Sequence, residues 1–154
     1  MPSAVEKVSR RLRAVRRAGT TAELRLADAL SALSLDFYTH AKLVGCTPDI
    51  VFRAHRLAVF VDGDFWHGRI AIERGLPALG RQFRKSVREF WLAKIERNIA
   101  RDGRQTRRLR RHGWAVMRLW EKDVLRNPDL AAAAVVKRLR ARRARSVIPS
   151  KDDP

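Results

Sequence analysis

Residues 48–67 read PDIVFRAHRLAVFVDGDFWH, and this stretch decides the fold. Asp49–Phe52 and Leu57–Val61 are apolar runs rich in β-branched residues, and the polar segment Arg53–Arg56 separates them. Two such runs around a short polar turn predict a β-hairpin. We therefore place this hairpin in a central β-sheet and build the rest of the chain around it.

Two aspartates lie at the open end of the predicted hairpin. If the turn is centred between Ala54 and His55, Asp49 lies opposite Phe60. Because side chains alternate with period two, Asp62 points to the same face of the sheet as Phe60 and therefore as Asp49. Carboxylates held close together repel each other unless a cation lies between them, and an all-oxygen site with open positions suits Mg²⁺. The pair therefore predicts a Mg²⁺ site, although each aspartate alone could belong to a turn, since Pro-Asp and Asp-Gly are common turn dipeptides.

Three further side chains follow the second strand. The imidazole of His67 can move a proton near neutral pH, so it is a candidate for general acid or base catalysis, unless it is held in the core or faces DNA. Phe65 and Trp66 come after a polar turn. They belong either to the core, where most aromatic side chains lie, or to an exposed wedge that unstacks base steps of DNA.

The charge of the chain narrows the class of partner. Its 154 residues include 34 Lys and Arg against 16 Asp and Glu, a formal net charge of +18. Such a field attracts polyanions, chiefly the phosphate backbone of nucleic acids. No stretch has the apolar length of a transmembrane helix and the basic N-terminus lacks the apolar core of a signal peptide, so we expect a cytoplasmic protein associated with the nucleoid.

Cys46 is the one cysteine of the sequence. A single cysteine excludes an internal disulfide, a redox cysteine pair and a structural zinc site built from several cysteines. We assign it to packing.

The rest of the chain divides into three parts, a basic arm at residues 1–19, a single domain at 20–145 and a tail at 146–154 that we expect to be disordered. For the domain the patterns predict a helix from Thr20 or Thr21 to about Leu33, a strand at 37–40, a loop at 69–82, a helix at 83–111, a strand at 114–120 and a helix at 130–143. This order is an α/β arrangement with a central mixed β-sheet flanked by helices. One compact domain favours a monomer.

Several motifs together resemble the very-short-patch repair (Vsr-type) DNA mismatch endonucleases. In chain order these motifs are Thr21-Ala22-Glu23, Pro48–Phe52, Val59–Gly68, Phe90–Ile95, Asn98, Arg101-Asp102, Gly113–Val116 and Trp120-Glu121. The likeness extends over roughly residues 8 to 140. It implies a fold related to the PD-(D/E)xK restriction endonucleases and a Mg²⁺-dependent nick beside a T:G mismatch left by deamination of 5-methylcytosine.

The resemblance also implies roles for single residues. Asp49 matches the family's metal-binding aspartate, His67 its catalytic histidine, and Glu23 the acid that supports this histidine. Phe65 and Trp66 match aromatic residues that wedge into the base stack beside the mismatch.

The chain departs from the family pattern at two places. Val61-Asp62 stands where the best-known members have Thr-His, with the second metal contact on the Thr, and side-chain alternation leads us to assign that contact to Asp62. The positions that match the family's zinc ligands are Asp64, Arg69, Ala71 and Lys122. We therefore expect no structural zinc.

Basic side chains are the expected contacts to DNA phosphates. They are Lys94, Arg97 and Arg101 on the long helix, with Arg13 and Arg16 in the basic arm. The expected partner is double-stranded DNA with a mismatch, and other repair proteins are further candidates.

Two other hypotheses stay open. A catalytically silent, basic DNA-binding protein would carry the same charge, but it would not need paired aspartates. A restriction-type or other structure-specific nuclease of the same fold would share the site residues.

Overall fold

The computed structural model describes residues 19–146, so the arm residues Arg13 and Arg16 and the tail from residue 147 lie outside the described part. Its elements are α1 (Thr21–Ala32), β1 (Tyr38–Thr39), β2 (Ile50–Phe52), β3 (Leu57–Asp62), α2 (Arg69–Arg74), α3 (Leu76–Gly80), α4 (Arg88–Arg111), β4 (Ala115–Trp120), α5 (Glu121–Arg126) and α6 (Pro128–Ser146). None of these helices is both long enough and apolar enough to cross a membrane.

The four strands form one sheet in the order β1-β2-β3-β4. The pairs β1–β2 and β2–β3 are antiparallel, whereas β3–β4 is parallel. The chain between β3 and β4 holds α2, α3 and α4, which is the kind of long crossover that a parallel pair requires. The predicted α/β fold with a central mixed sheet and flanking helices is confirmed.

The predicted hairpin register is also confirmed. Ile50 pairs with Val59, and Phe52 pairs with Leu57. The same register continued by one step places Asp49 opposite Phe60, as the sequence predicts.

Alternation along β3 divides the interior of the protein into two clusters. Leu57 and Val59 pack with α1, α5 and α6 in the larger one, which includes the fully buried Leu26 and Leu30. Ala58 and Phe60 point to the other face, where they pack with Leu109 of α4, Val116 of β4 and Cys46. Both faces of the sheet are therefore covered by helices. Burying a leucine side chain contributes about 1.5–3 kcal/mol, so the two clusters hold the site-bearing strands rigidly.

Helix α1 begins at a capping box. The Thr20 hydroxyl accepts a hydrogen bond from the Glu23 N–H, and the Glu23 carboxylate accepts one from the Thr20 N–H, both at 3.3 Å. These bonds satisfy free backbone N–H groups at the first turn. They also hold the Glu23 side chain at the end of the helix nearest to β2.

The predicted loop at 69–82 is wrong, because this segment forms α2 and α3. Pro77 lies in the first turn of α3, where its missing N–H costs nothing, and Gly75 separates the two helices with φ 87°. Helices this short show too little periodicity to be predicted from sequence. The six-residue α5 was not predicted for the same reason, and α4 begins at Arg88 rather than at Phe83.

Gly68, between β3 and α2, needs to be glycine on two grounds. Its φ is 69°, and a Cβ atom there would lie 2.7 Å from Ile95 and 2.6 Å from Ile99 of α4. The close approach of backbone to helix fixes the loop that carries residues 63–67 against α4.

Candidate active site

Two clusters of side chains that could ligate a metal lie where β3 ends. In each, the ligating atoms lie within 4.8 Å of one another. The α1 cluster comprises Glu23, His40 and Asp49, and the α4 cluster comprises Asp62, His67 and Asp102. Together they contain every residue that the sequence singles out for catalysis.

The α1 cluster is assembled by three elements. Glu23 comes from the first turn of α1, His40 follows β1, and Asp49 immediately precedes β2. The Nε2 atom of His40 lies 3.4 Å from the Glu23 carboxylate. The Asp49 carboxylate accepts a hydrogen bond of 2.7 Å from the Val61 N–H, which ties the cluster to the end of β3.

Asp49 is a half-buried acid that lies beside another acid, Glu23. Burial raises the pKa of Asp49 to about 7; the hydrogen bond from Val61 opposes the rise, and the negative charges of Glu23 and Asp62 add to it. A carboxylate in this position favours a proton or a cation beside it. The partly exposed donor set of two carboxylates and one imidazole therefore suits a divalent cation.

The α4 cluster already contains a positive charge. The Arg118 guanidinium donates to both oxygens of Asp62, at 3.0 and 2.9 Å, and its Nη1 atom lies 3.9 Å from Asp102. A guanidinium nitrogen, Nη1, that is shared by both carboxylate oxygens of Asp62 offsets the charge of the acids and occupies lone pairs of Asp62. The α4 cluster is therefore less suited to a metal ion than the α1 cluster.

His67 is held by Asp102 of helix α4. Its Nδ1 atom lies 2.5 Å from the Asp102 carboxylate and 3.6 Å from Asp62. The hydrogen bond to Asp102 raises the pKa of His67, against the effect of burial. Burial acts to raise the pKa of Asp102, but the hydrogen bond and charge of His67 outweigh it and lower the pKa. With Nδ1 bound to a carboxylate, Nε2 is the ring nitrogen left for chemistry.

The structure separates residues that the sequence pairs. The Asp62 side chain lies on the same face of β3 as Phe60, on the side of α4. Asp49 lies before the first paired residue of β2, and its carboxylate lies beside Glu23 of α1. Period-two alternation holds within a paired strand and not outside it. The structure thus groups Asp49 with Glu23 and His40, and Asp62 with His67 and Asp102, rather than the two aspartates in one cluster.

Glu23 is likewise beside His40 rather than beside His67, whose carboxylate partner is Asp102. Sequence reasoning did not assign a catalytic role to Asp102. The sequence does place Asp102 on one helical face with Lys94 and Asn98, a face that could meet phosphates, the site or solvent.

The aromatic residues after β3 are presented at the surface. Phe65 and Trp66 are 39% and 46% exposed, and their rings meet edge to face at 5.0 Å. They rest on Trp91 of α4, and the Asn98 side chain donates to the Trp66 carbonyl at 2.9 Å. The two rings are therefore partly exposed and supported from behind by α4, rather than buried in the core.

The three predicted DNA contacts on α4 differ in their surroundings. The Lys94 ammonium lies 5.0 Å from the Trp66 ring and 5.4 Å from the Trp91 ring, in cation–π geometry. Arg97 is exposed, and so is Arg101, whose guanidinium lies 3.6 Å from Asp102. Lys94 therefore borders the aromatic pair, and Arg101 borders the α4 cluster.

An ion-pair cluster lies at the positions that match the family's zinc ligands. Arg69 contacts Asp64 at 3.4 Å, Glu73 at 2.8 Å and Asp123 at 3.0 Å, and its guanidinium lies 5.5 Å from the Trp120 ring. An arginine is not a metal ligand, so this donor set does not fit zinc. Instead, Arg69 links the segment after β3 to α5.

We expect Arg69→Met to loosen the segment that carries Phe65, Trp66 and His67. Hydrogen exchange should become faster in residues 63–74, and the same residues should exchange faster in the wild-type protein in high salt, which screens ion pairs. Arg84→Met, a change at an exposed arginine, serves as the control. Unchanged exchange in Arg69→Met would show that the cluster does not hold the loop.

Comparison with known proteins supports one family. Residues 4–74 match the family model described as DNA mismatch endonuclease Vsr. The chain is 40% identical to the type II nicking enzyme V.NmeDIP of Neisseria meningitidis serogroup C over 134 residues, which cover 87% of this chain and 86% of that protein. It is 40% identical to the type II nicking enzyme V.HpaIIP of Haemophilus parainfluenzae, over 72% of this chain and 74% of the relative. It is 33% identical to the DNA mismatch endonuclease Vsr of Escherichia coli, over 85% of this chain and 80% of the relative.

Proposed function

Since the chain belongs to the Vsr family of DNA endonucleases, we propose that it nicks one strand of double-stranded DNA beside a T:G mismatch, in a reaction that requires Mg²⁺. The observation that carries this proposal is the α1 cluster, which lies beside the His67–Asp102 pair at the end of β3. A catalytically silent DNA-binding protein would need neither group.

The α1 cluster would hold the cation. Glu23 and Asp49 supply carboxylate oxygens, and the Val61 carbonyl is a further candidate, because the N–H and C=O of one residue point to the same side of a β-strand and the Val61 N–H faces Asp49. When bound, a divalent cation neutralises charge that develops on the phosphate and stabilises the leaving oxygen. This arrangement replaces Asp62 as the second ligand.

His67 would remove the proton from the attacking water. Asp102 holds the ring by Nδ1, which orients Nε2 toward the reaction and stabilises the imidazolium that forms. Arg118 offsets the charges of Asp62 and Asp102, so the acids beside the histidine do not add uncompensated negative charge near a phosphate.

DNA would be held by the wedge and by the basic residues. Phe65 and Trp66 are proposed to enter the base stack, while Lys94, Arg97 and Arg101 contact phosphates around it. Contacts from Arg13 and Arg16 stay a prediction, as do the monomeric state, the association with the nucleoid and the repair proteins as partners.

A nicking assay tests the substrate. Duplexes that differ only in a central T:G, a matched pair or another mismatch are incubated with and without Mg²⁺, and strand cleavage is measured. We expect nicking of the T:G duplex in Mg²⁺ at least 10²-fold above the matched duplex, since a mispaired base costs less to unstack. Equal nicking of a matched duplex at a defined sequence would instead support a restriction-type nickase, and the absence of any nicking would leave DNA binding alone.

Trp66→Ala should lower nicking of the T:G duplex about 5- to 150-fold, because stacking of a base on an aromatic ring is worth about 1–3 kcal/mol. The matched control is Leu130→Ala, which truncates a side chain that is 67% exposed on α6. Equal activity in Trp66→Ala and the control would contradict the wedge.

A further inference from the structure

His40 has no assigned role, yet its backbone is held in an uncommon conformation. Its φ is 48°, in the left-handed region that residues other than glycine rarely adopt. Its N–H donates to the Asp49 carbonyl at 3.2 Å, just beyond the β1–β2 pairing. The chain therefore turns at His40 and stays attached to the residue that carries the metal-binding acid.

This conformation brings the imidazole to the acids. Nε2 lies 3.4 Å from the Glu23 carboxylate, and the His40 side chain is 30% exposed against 12% for Glu23. Neighbouring ligand atoms around a cation with bonds of about 2.1 Å lie about 3 Å apart. The 3.4 Å between His40 and Glu23 is close to that value, all the ligating atoms of the α1 cluster lie within 4.8 Å of one another, and the imidazole is partly exposed to solvent.

We propose that His40 is a ligand of the catalytic cation and makes this site bind Mn²⁺ more tightly than its carboxylates alone would. Imidazole nitrogen prefers transition-metal ions, whereas Mg²⁺ prefers oxygen ligands and keeps several waters. The inference rests on the proposed function, because it takes the α1 cluster as the metal site. It adds a residue and a metal preference to that site.

The competing role for His40 is to orient Glu23 by a hydrogen bond. In that case its loss would weaken Mg²⁺ and Mn²⁺ binding by the same factor. A ligand preferred by one metal changes the two affinities unequally, so metal selectivity separates the two roles.

The test measures metal binding by the full-length protein without DNA. Free Mn²⁺ is followed by electron paramagnetic resonance, and Mg²⁺ affinity is obtained by competition. The variants are His40→Asn and His40→Gly, because both residues tolerate a positive φ and so remove the ring without straining the backbone. His112→Gln changes an exposed histidine at the end of α4 and is the control.

We expect both His40 variants to bind Mn²⁺ about 10-fold or more weakly while Mg²⁺ affinity changes less than about 3-fold. An unchanged Mn²⁺ affinity, or equal weakening for both ions, would overturn the inference. Nicking by Asp49→Asn reports separately on the proposed function. If Asp49→Asn is inactive and His40→Asn binds Mn²⁺ normally, the function stands and the role of His40 is wrong.

Discussion

We expect Asp49→Asn to abolish nicking and to make the metal-free protein more stable above pH 7. The loss of activity should reach about 10³-fold or more, because Asn removes the charge that attracts the cation while keeping the size of the side chain. DNA binding should change little, since the basic surface is untouched. Strand cleavage and a binding titration on the same duplex measure the two effects.

The gain in stability follows from the raised pKa of Asp49, about 7 in the folded protein against an ordinary value of 3.8. Between these two pH values the Asp49 carboxyl is ionised in the unfolded chain but still protonated in the folded protein. The stability that the protonated Asp49 contributes at low pH therefore declines as pH rises and is gone above about pH 7. Because Asp49 is partly exposed, solvent screens part of this effect. The ionised Asp49 then lowers the free energy of unfolding by an amount on the order of 1–3 kcal/mol.

Thermal unfolding in a chelator should therefore show Asp49→Asn several degrees more stable than wild type at pH 8, with little difference at pH 4. Asp28→Asn, a change at an exposed acid on α1, is the matched control. The interpretation fails if the two variants behave alike at pH 8, or if Asp49→Asn still nicks at a rate close to wild type.

His67→Ala and Asp102→Asn should lose activity by different amounts. Removing the imidazole removes proton transfer, a loss of about 10²- to 10⁴-fold, whereas Asp102→Asn keeps the ring and should lose about 10- to 100-fold. Single-turnover nicking at saturating metal measures both. Glu96→Gln, an exposed acid on the same helix, controls for the change of charge.

The pH dependence distinguishes a positioning role of Asp102 from a purely structural one. The hydrogen bond to Asp102 raises the pKa of His67, and the base needs the neutral ring, so wild-type activity falls as pH drops through this raised pKa. Asp102→Asn removes the negative charge and should move the acid side of the pH–rate profile to lower pH. An unshifted profile with reduced activity would mean that Asp102 supports only the fold.

The hairpin is a part of the fold that local sequence pattern predicts in detail. Its two strands, the turn at residues 53–56 and the register Ile50 with Val59 all follow from alternation and turn length. The long helix and its basic stripe likewise follow from local sequence pattern. Sequence pattern does not predict the two helices within residues 69–80. Helices of one or two turns show little periodicity, and these two are stabilised by packing and by the ion pairs of Arg69.

The sequence by itself determined the elements of the sheet and the basic character of the chain, whereas the exposure of Phe65 and Trp66 is known only from the structure. Tertiary structure alone decided which groups share a site, because the partners are far apart in sequence. Asp102 comes 35 residues after His67, and Arg118 comes 56 residues after Asp62. Asp49 joins Glu23 and His40 because it immediately precedes β2, where the first turn of α1 and the residue after β1 also lie.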